Sequence, residues 1–529
     1  MQRLLFVVPL IFFHITLIAQ SNIDVLHYKF EIELSDKSDT ISGIATIDVK
    51  FLSASDSISL DLAGPKQPGS KGMLIYTQHD TDHPYIAIVR GDKVILDLSD
   101  TAKAGEERRF IIHYFGIPSD GLIISRNKYG KRTFFSDNWP DRAHHWIPCV
   151  DDPSDKASVE FIITAPDHYE VVSNGLLAEE RKLPDSRKLT HWKEETPLPT
   201  KIMVIGVADF AVDTAGYVHD IPVTSWVFPE NKKAGFYDYA QAKNVLAWFV
   251  DYIGPFPYKK LANVQSKTMF GGMENAGAIF YNESTVTGTR SEERLLAHEI
   301  THQWFGDMVT EKNFSHLWLS EGFATYLANV YLESIHGADR FNKEMKEDKE
   351  QVIDFARSSD QPVVDTFSPY MQLLNANSYQ KGGWILHMLR RQLGDSIFHA
   401  IIRAYYTGYA GKNADTKDFQ MICEQVSGKN LETFFHQWLY LPGIPQVEIK
   451  WRYDSKKKMV VLAVDQLQKH VFDFPLEIAI EIAGKTKTQQ LLINKRSGQF
   501  SIPVKTSPVR VTADPGSSLL FESQVIKIR

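Results

Sequence analysis

The amino-terminal part of the chain alternates apolar and polar residues with the two-residue period of a β-strand. Apolar side chains recur at every second position in five segments, which are 28–34, 45–51, 94–98, 110–114 and 158–165. Glycine- and proline-containing turns separate several of these segments. We therefore predict an antiparallel β domain over residues 21–223, built as a sandwich or a saddle-like sheet.

The period changes to that of an α-helix between residues 224 and 441. Apolar residues three and four positions apart predict amphipathic helices in four segments, which are 239–253, 292–308, 320–335 and 378–393. Gly337 and Gly394 follow two of these segments, where glycine commonly ends a helix. This region is predicted to be a mostly α-helical domain.

Strand-like alternation returns after residue 441. Val447, Ile449 and Trp451 begin it, and 459–464 and 476–482 continue it. We predict a small C-terminal β-sandwich domain over residues 442–529. The predicted fold class is therefore α+β and multidomain, without internal repeats.

Residues 1–20 form a separate segment. Arg3 precedes an apolar run, and Leu17 and Ala19 stand three and one residues before a possible cut at Gln20. This pattern is typical of a secretory signal peptide. It predicts an exported protein (periplasmic, cell-surface or secreted) with no stable membrane span after cleavage. An uncleaved anchor is the alternative, although the run is short for a membrane span.

The net charge of the chain excludes few classes of function, but it gives no indication of a polyanionic partner. The formal net charge is −7 and the pI is near 6.2, so no basic surface for nucleic acid or an anionic membrane is predicted. Two cysteines, Cys149 and Cys423, do not make a disulfide framework in a chain of this size. We predict that both are buried thiols, although the sequence does not exclude that they pair.

The main chemical signal is the order HExxH, formed by His298, Glu299 and His302. Residues four apart share one face of a helix, so both imidazoles can bind one metal ion. Glu299 lies beside them, where a carboxylate can accept a proton from an attacking water. The segment 289–292 predicts a capping box at the start of this helix.

A third metal ligand is predicted at Glu321. A catalytic zinc site takes three protein ligands and leaves one position open. The 18 residues between His302 and Glu321 are enough for one helix to end and a second to begin. An isolated HExxH is often only a solvated helix face, but a glutamate at this later position favours a metal site. The predicted cofactor is one Zn²⁺ per chain, bound by His298, His302 and Glu321.

A second motif is Gly271-Gly272-Met273-Glu274-Asn275. Taken alone, it is typical of a turn. Glycine also lets a strand edge approach a bound peptide backbone, and Glu274 would then be free to hold a positive charge. The residues themselves leave both interpretations open.

The order and spacing of these motifs resemble the M1 family of gluzincin aminopeptidases, which are aminopeptidase N-like. The resemblance extends over roughly 135–440 and rests on several segments, which are 148–153, 271–275, 298–302, 304–306, 318–324 and 379–382. It implies a thermolysin-like zinc catalytic domain over 224–441. It also implies a metallo-aminopeptidase that removes N-terminal residues from peptides with a free N-terminus.

The family roles carry over by position. The resemblance implies that Glu299 and Tyr379 are catalytic, with Tyr379 donating a hydrogen bond to the oxyanion. A core tyrosine is the alternative for Tyr379. Glu274 is implied to bind the substrate's α-ammonium. The implied substrate-binding residues of this motif are Gly271, Gly272, Met273, Glu274 and Asn275.

Two departures from the family are visible. The family's second ammonium anchor falls at Trp139, so Asp137 or Asn138 is expected to replace it after a local shift. The chain also resembles a short form without the large helical C-terminal domain, which predicts a more open site unless a partner subunit covers it.

Other functions on the same site stay open. The alternatives are another zinc hydrolase, either an endopeptidase or an epoxide hydrolase, and a secreted non-catalytic scaffold. Glu274 argues against a pure endopeptidase, and an intact Glu299 and Tyr379 argue against a scaffold. The preferred N-terminal side chain, the physiological substrate and the oligomeric state do not follow from the sequence.

Overall fold

The computed structural model describes residues 22–76 and 84–529. The predicted signal peptide, residues 1–20, lies outside the described residues. None of the helices in the described part of the chain combines the length and the hydrophobicity of a membrane-spanning segment. The described residues form a β module, a mainly helical module and a second β module, as the predicted α+β fold class requires.

The first module consists of strands with one buried face. Tyr28, Phe30 and Ile32 are buried, as the alternation predicts. Its strands are β1 (Ile23–Glu33), β2 (Ile41–Phe51), β3 (Ser55–Asp61), β4 (Gly72–Tyr76), β5 (Tyr85–Arg90), β6 (Lys93–Ala102), β7 (Glu107–Ile117), β8 (Leu122–Arg126), β9 (Arg132–Ser136), β10 (Ala157–Pro166), β11 (Glu170–Ser173), β12 (Leu176–Leu183), β13 (Arg187–Leu198) and β14 (Ile205–Ala208).

Seven of these strands form the main sheet, in the order β12-β13-β10-β1-β2-β7-β4. Its neighbours are antiparallel except for β1 and β10, which run parallel with Phe30 opposite Phe161. The prediction of an antiparallel domain therefore misses one pair, because alternation has the same period in both kinds of sheet. The smaller sheets have the orders β3-β6-β5 and β11-β14-β9-β8.

The second module combines a small sheet with nine α-helices. Its strands are β15 (Ala211–Val218), β16 (Ile221–Val227), β17 (Leu261–Ser266), β18 (Gly272–Met273), β19 (Ala278–Asn282), β20 (Thr310–Glu311) and β21 (Asn413–Ala414). Its helices are α1 (Lys232–Tyr239), α2 (Ala242–Tyr252), α3 (Glu293–His302), α4 (Trp318–His336), α5 (Ala338–Ser358), α6 (Gly382–Leu393), α7 (Asp395–Tyr409), α8 (Thr416–Ser427) and α9 (Glu432–Phe435).

A five-stranded sheet opens the second module, in the order β15-β16-β17-β19-β18. The predicted boundary at residue 223 falls inside β16, which pairs in parallel with β17. The sheet topology therefore places the boundary before Ala211. Alternation alone does not reveal this, because β15 and β16 have the same period as the strands of the first module.

Helix α3, which carries the HExxH order, differs from its prediction at both ends. It ends at His302 rather than near 308, and Gly306 follows with a φ of 121°, a conformation that favours glycine. The predicted capping box at 289–292 is wrong, because the N-cap residue makes no side-chain capping bond. Asp238 instead accepts the backbone N–H of Gly288 at 2.7 Å and that of Arg290 at 2.9 Å.

The third module contains two sheets, in the orders β26-β23-β22-β28 and β25-β24-β27. Leu462 from one sheet and Ile478 from the other are buried in a common core that also includes helices of the second module. The strands are β22 (Gln446–Asp454), β23 (Met459–Gln466), β24 (Phe474–Ile482), β25 (Lys485–Ile493), β26 (Ser497–Pro503), β27 (Arg510–Ala513) and β28 (Glu522–Lys527).

The two cysteines lie in different hydrophobic cores. Cys149 belongs to the core of the first module, and Cys423 belongs to the core shared by the other two. Both are buried free thiols, so the prediction of core thiols is confirmed.

Candidate active site

Helices α3 and α4 bring the three predicted metal ligands together. His298 and His302 lie one turn apart on α3, and Glu321 lies in the first turn of α4. Oε2 of Glu321 is 3.3 Å from Nε2 of His298 and 3.2 Å from Nε2 of His302. The two imidazole nitrogens are 3.1 Å apart. Two nitrogens and one carboxylate oxygen thus converge on a single point, as in a catalytic zinc site.

The surroundings of these donors fit a cation. Oε2 of Glu321 has no hydrogen-bond partner among the described residues, although the side chain is buried. Nδ1 of His302 lies 3.1 Å from the carbonyl oxygen of Phe305 and 3.0 Å from Oγ of Ser320. A proton on Nδ1 that is donated to this carbonyl leaves Nε2 free to bind a metal.

The ionisation of the cluster follows from burial and from close charges. Burial lowers the pKa of His298 to about 4. Burial alone would lower the pKa of His302 as well, but Glu321 and Glu274 raise it to about 10. Burial opposes the ionisation of Glu321, yet the two histidines hold its pKa below the ordinary value. The carboxylate is therefore ionised, as a metal ligand must be.

Glu299 projects from α3 towards strand β18. A Cβ added to Gly272 would lie 2.3 Å from Oε1 of Glu299, so only glycine leaves room for the carboxylate. Both residues line one cavity, and β18 is the edge strand of its sheet. Burial raises the pKa of Glu299 well above its ordinary value, which makes the carboxylate a better proton acceptor.

Glu274 follows β18 and lines the same cavity. Its Oε1 has no hydrogen-bond partner among the described residues, although the residue is buried. Burial raises the pKa of this carboxyl group. A buried carboxylate with an unused oxygen is suited to a cationic group that brings its own hydrogen-bond donors.

The other residues of this motif lie in two environments. Gly271, Gly272 and Met273 line the cavity, as expected of a substrate-binding segment. Asn275 is completely buried and lies outside the cavity wall, and its carbonyl accepts the backbone N–H of Ala278 at 2.9 Å. The polar side-chain atoms of Asn275 have no hydrogen-bond partner among the described residues, and its role in substrate binding stays a prediction.

Tyr379 lies in a π-helical turn, Asn377–Lys381, that leads into α6. Its hydroxyl donates a hydrogen bond to Oε1 of Glu321 at 2.9 Å, and its ring stacks with His298 at a centroid distance of 6.0 Å. Irregular π turns of this kind are frequent at functional sites. The hydroxyl is thus directed at the ligand cluster. This position favours a functional role for Tyr379 over the alternative of a core tyrosine.

One cavity of about 440 Å³ joins these groups. Arg294 lies one turn before His298, whereas the carboxylate of Glu274 lies close to His302, so the ligand cluster stands between two ends. At the Glu274 end, Met273 directly precedes Glu274 and packs in one core cluster with Trp139, Phe270 and Leu374, which also line the cavity. Glu292 and Leu295 line the cavity beside Arg294, and Thr325 and Gln380 contribute further polar lining.

Two family models match the chain over most of its length. The Peptidase M1 N-terminal domain matches residues 25–202, and the Peptidase family M1 domain matches residues 237–438, which contain the whole ligand cluster. The chain belongs to peptidase family M1. The resemblance seen in the motifs is therefore confirmed.

Several relatives of this M1 chain are aminopeptidases by name. It is 24% identical to the Probable aminopeptidase 1 of Sulfurisphaera tokodaii, over 91% of this chain and 61% of that protein. It is 23% identical to the Leucyl aminopeptidase of Saccharolobus solfataricus, over 92% and 62%. It is 28% identical to the Glutamyl aminopeptidase of Sus scrofa, over 62% and 36%. The matches thus span between 36% and 62% of these relatives' own lengths.

The M1 chain does not present Asp137 or Asn138 to the cavity. Both are completely buried. Asp137 accepts a hydrogen bond from Arg142 at 2.9 Å, and Asn138 donates one to the carbonyl of Met203 at 2.6 Å. Trp139 forms the cavity wall instead. The expectation of a second ammonium anchor at Asp137 or Asn138 is wrong, because their polar atoms are used by internal contacts, which include Thr268 of the second module.

Gln303 is the residue of the M1 site that sequence reasoning missed. Its side-chain amide donates to the carbonyl of Glu274 at 2.5 Å and to Oδ2 of Asp307 at 2.9 Å, and it accepts the backbone N–H of Gly277 at 2.7 Å. It therefore fastens the loop of Glu274 to the end of α3. The sequence feature that could have indicated this role is the position of Gln303 directly after His302.

Proposed function

We propose that this chain is a zinc-dependent aminopeptidase that removes the N-terminal residue from peptides. One observation carries the proposal: the unpaired carboxylate oxygen of Glu274 and the cluster of His298, His302 and Glu321 border the same cavity. Family membership and the names of the relatives support it. Peptides with a free N-terminus are the proposed substrates.

The ligand cluster would hold one Zn²⁺ through Nε2 of His298, Nε2 of His302 and the carboxylate of Glu321. Two imidazoles and a carboxylate are a donor set that zinc uses in catalytic sites. When bound there, zinc supplies a Lewis acid for the scissile carbonyl and makes the attacking water more acidic.

Two side chains would move or hold protons in the reaction. Glu299 accepts the proton of the attacking water and then delivers it to the leaving amine, and its raised pKa supports both roles. The hydroxyl of Tyr379 donates a hydrogen bond to the carbonyl oxygen as that oxygen gains negative charge.

Glu274 would bind the α-ammonium group of the substrate. The resulting charge-assisted pair holds the first peptide bond beside the ligand cluster, because the ammonium and the first carbonyl share one α-carbon. An acylated amine has no charge and leaves the buried carboxylate unpaired. This dependence would make the enzyme an exopeptidase.

The first residue of the substrate is proposed to be large and apolar. Its side chain leaves the same α-carbon that carries the ammonium, so it lies at the Glu274 end of the cavity. The apolar wall formed by Trp139, Phe270, Met273 and Leu374 supports this choice. A charged first residue would lose its hydration against that wall.

Metal analysis combined with two variants tests the proposed function. The purified protein should contain one zinc per chain, and chelation should abolish hydrolysis of an aminoacyl arylamide until Zn²⁺ is restored. Glu299→Gln should retain zinc and lose nearly all turnover, whereas Glu321→Ala should lose zinc. Full activity in metal-free protein would overturn the proposal.

Export is proposed on the pattern of residues 1–20, which supports a cleaved signal peptide. Mass spectrometry of the protein isolated from its natural source tests this. A mature N-terminus near Gln20 is the expected result. An intact Met1 in cytoplasmic protein would contradict it.

A further inference from the structure

A group of lysines lies at one end of the third module, away from the active-site cavity. Lys457 and Lys458 lie in the turn between β22 and β23, Lys485 and Lys487 begin β25, and Lys505 follows β26. All five line one open cleft of about 580 Å³. We call these five residues the lysine cluster.

The described residues neutralise the lysine cluster only in part. Among the described residues, none of the five forms an ion pair with a carboxylate. Asp454, the last residue of β22, accepts the backbone N–H groups of Lys456 and Lys457, and its carboxylate interacts electrostatically with Lys457. Lys487 donates to the carbonyl of Pro503 at 2.9 Å. Crowded like charges repel one another, so an external anion would stabilise this surface.

The positive charge is concentrated in the third module, and the net charge of the whole chain does not reveal it. Residues 442–529 contain 14 lysines and arginines and eight acidic residues, a net charge of +6, whereas the whole chain has a net charge of −7. Lys458 also has a φ of 53°, a left-handed conformation that glycine or asparagine adopts at lower cost. A lysine is thus present where the backbone alone favours another residue.

The lysine cluster lies at the outer end of its module. At the inner end, before β24 begins, Gln437 and Asp473 exchange hydrogen bonds of 2.7 and 2.8 Å, and Trp438 packs against Phe472. Ile482, at the far end of β24, lines the cleft. The strand therefore separates the contact with the helices from the lysine cluster, which a large surface can approach.

The cleft has an apolar floor between its charged side chains. Ile482, Pro503 and Val504 form this floor. Val509, which is 69% exposed, lies beside it, since its N–H donates to the carbonyl of Glu481 at 2.9 Å. Lysines around apolar groups suit the boundary between charged headgroups and hydrocarbon. Arginine forks, which are better suited to individual phosphates of nucleic acid, are absent from the lining of this described cleft.

We propose that the lysine cluster is a docking surface for a bilayer that carries anionic lipid. The ammonium groups pair with the headgroups, and Ile482, Pro503 and Val509 contact the outer part of the acyl region. The attraction acts over about one Debye length, so salt weakens it. This proposal does not depend on the proposed peptidase activity.

Co-sedimentation of the full chain with vesicles tests the proposal. Binding to phosphatidylcholine vesicles that contain phosphatidylglycerol should exceed binding to pure phosphatidylcholine by at least about tenfold, and high salt should reduce it. Equal sedimentation with both kinds of vesicle would overturn the proposal. Binding to heparin without binding to vesicles would also overturn it, in favour of a soluble polyanion.

Two triple variants with the same change in net charge distinguish the effect of the lysine cluster from the effect of the total charge. Replacement of Lys457, Lys485 and Lys505 by glutamine should lower vesicle binding at least about tenfold. The control replaces Lys37, Lys66 and Lys71, exposed lysines of the first module, by glutamine with the same change in net charge. The control should bind like the wild type. Equal losses in the two variants, with unfolding temperatures unchanged, would overturn the proposed location.

Discussion

Gly322 of α4 and Gly382 of α6 meet through their backbones. A Cβ added to Gly322 would lie 2.8 Å from the Cα of Gly382. Glu321 directly precedes Gly322, and Tyr379 lies about one helical turn before Gly382. This close approach therefore lets the Tyr379 hydroxyl reach Glu321 at 2.9 Å.

Gly322→Ala should lower both stability and activity, because the new methyl group must push two backbones apart. Overpacking of this kind costs about 1–3 kcal/mol. A displacement of Tyr379 from Glu321 by about 1 Å should lower the rate by about 100-fold. Gly383→Ala is the matched control, since the nearest atom to its added Cβ is Cγ2 of Thr325 at 3.4 Å, an ordinary van der Waals distance. Thermal unfolding and kcat distinguish the variants, and identical behaviour of the two would contradict the proposed role of this contact.

Gly272→Ala should inactivate the enzyme without removing zinc. The added Cβ would collide with the Glu299 carboxylate, which must rotate away, and we expect kcat to fall by at least about 100-fold. Gly271→Ala is the control, because its nearest contact is Cδ1 of Leu295 at 3.8 Å. Metal content and kcat are measured for both. A fully active Gly272→Ala enzyme would exclude the proposed position of the proton acceptor.

Tyr379→Phe should fold normally and lower kcat far more than it changes KM. A hydrogen bond made mainly to the developing oxyanion is worth about 3–4 kcal/mol, or a factor of about 10²–10³ in rate. Steady-state kinetics on one arylamide substrate measure both constants. An unchanged kcat would assign Tyr379 a structural role only.

The apolar wall at the Glu274 end predicts the order of substrate preference. Phenylalanyl and leucyl arylamides should exceed aspartyl and lysyl arylamides in kcat/KM by at least about tenfold, since burial of a large apolar side chain is worth about 1.5–3 kcal/mol. Trp139→Ala should reduce this difference. A preference for charged residues would contradict the assigned wall, whereas no hydrolysis of any substrate would contradict the peptidase proposal itself.

The features that could be predicted from the sequence depend on spacing within one element. His298 and His302 share a helix face in any α-helix, and the α+β fold class followed from the change of period. Gly337 and Gly394 end α4 and α6 with φ values of 84° and 89°, as their positions predicted. Local geometry was sufficient in each of these cases.

The features that could not be predicted depend on distant partners. Asp137 is held by contacts such as the hydrogen bond from Arg142, whereas Trp139, two residues later, lines the cavity. Position in the sequence therefore did not show which of these neighbours forms the cavity wall. The lysine cluster combines residues from three separate segments of the third module. Whole-chain charge therefore gave no sign of it.

The proposed aminopeptidase function requires that the enzyme recognises a free N-terminus through Glu274. Cleavage of one peptide sequence in its free and N-acetylated forms tests this most directly, with kcat/KM measured for both. We expect the acetylated form to be cleaved at least about 100-fold more slowly, because it cannot form the charge-assisted pair and leaves Glu274 unpaired. Glu274→Ala should remove this difference while zinc stays bound. Equal cleavage of the two peptides by the wild type would contradict the aminopeptidase function and leave a zinc endopeptidase or another hydrolase.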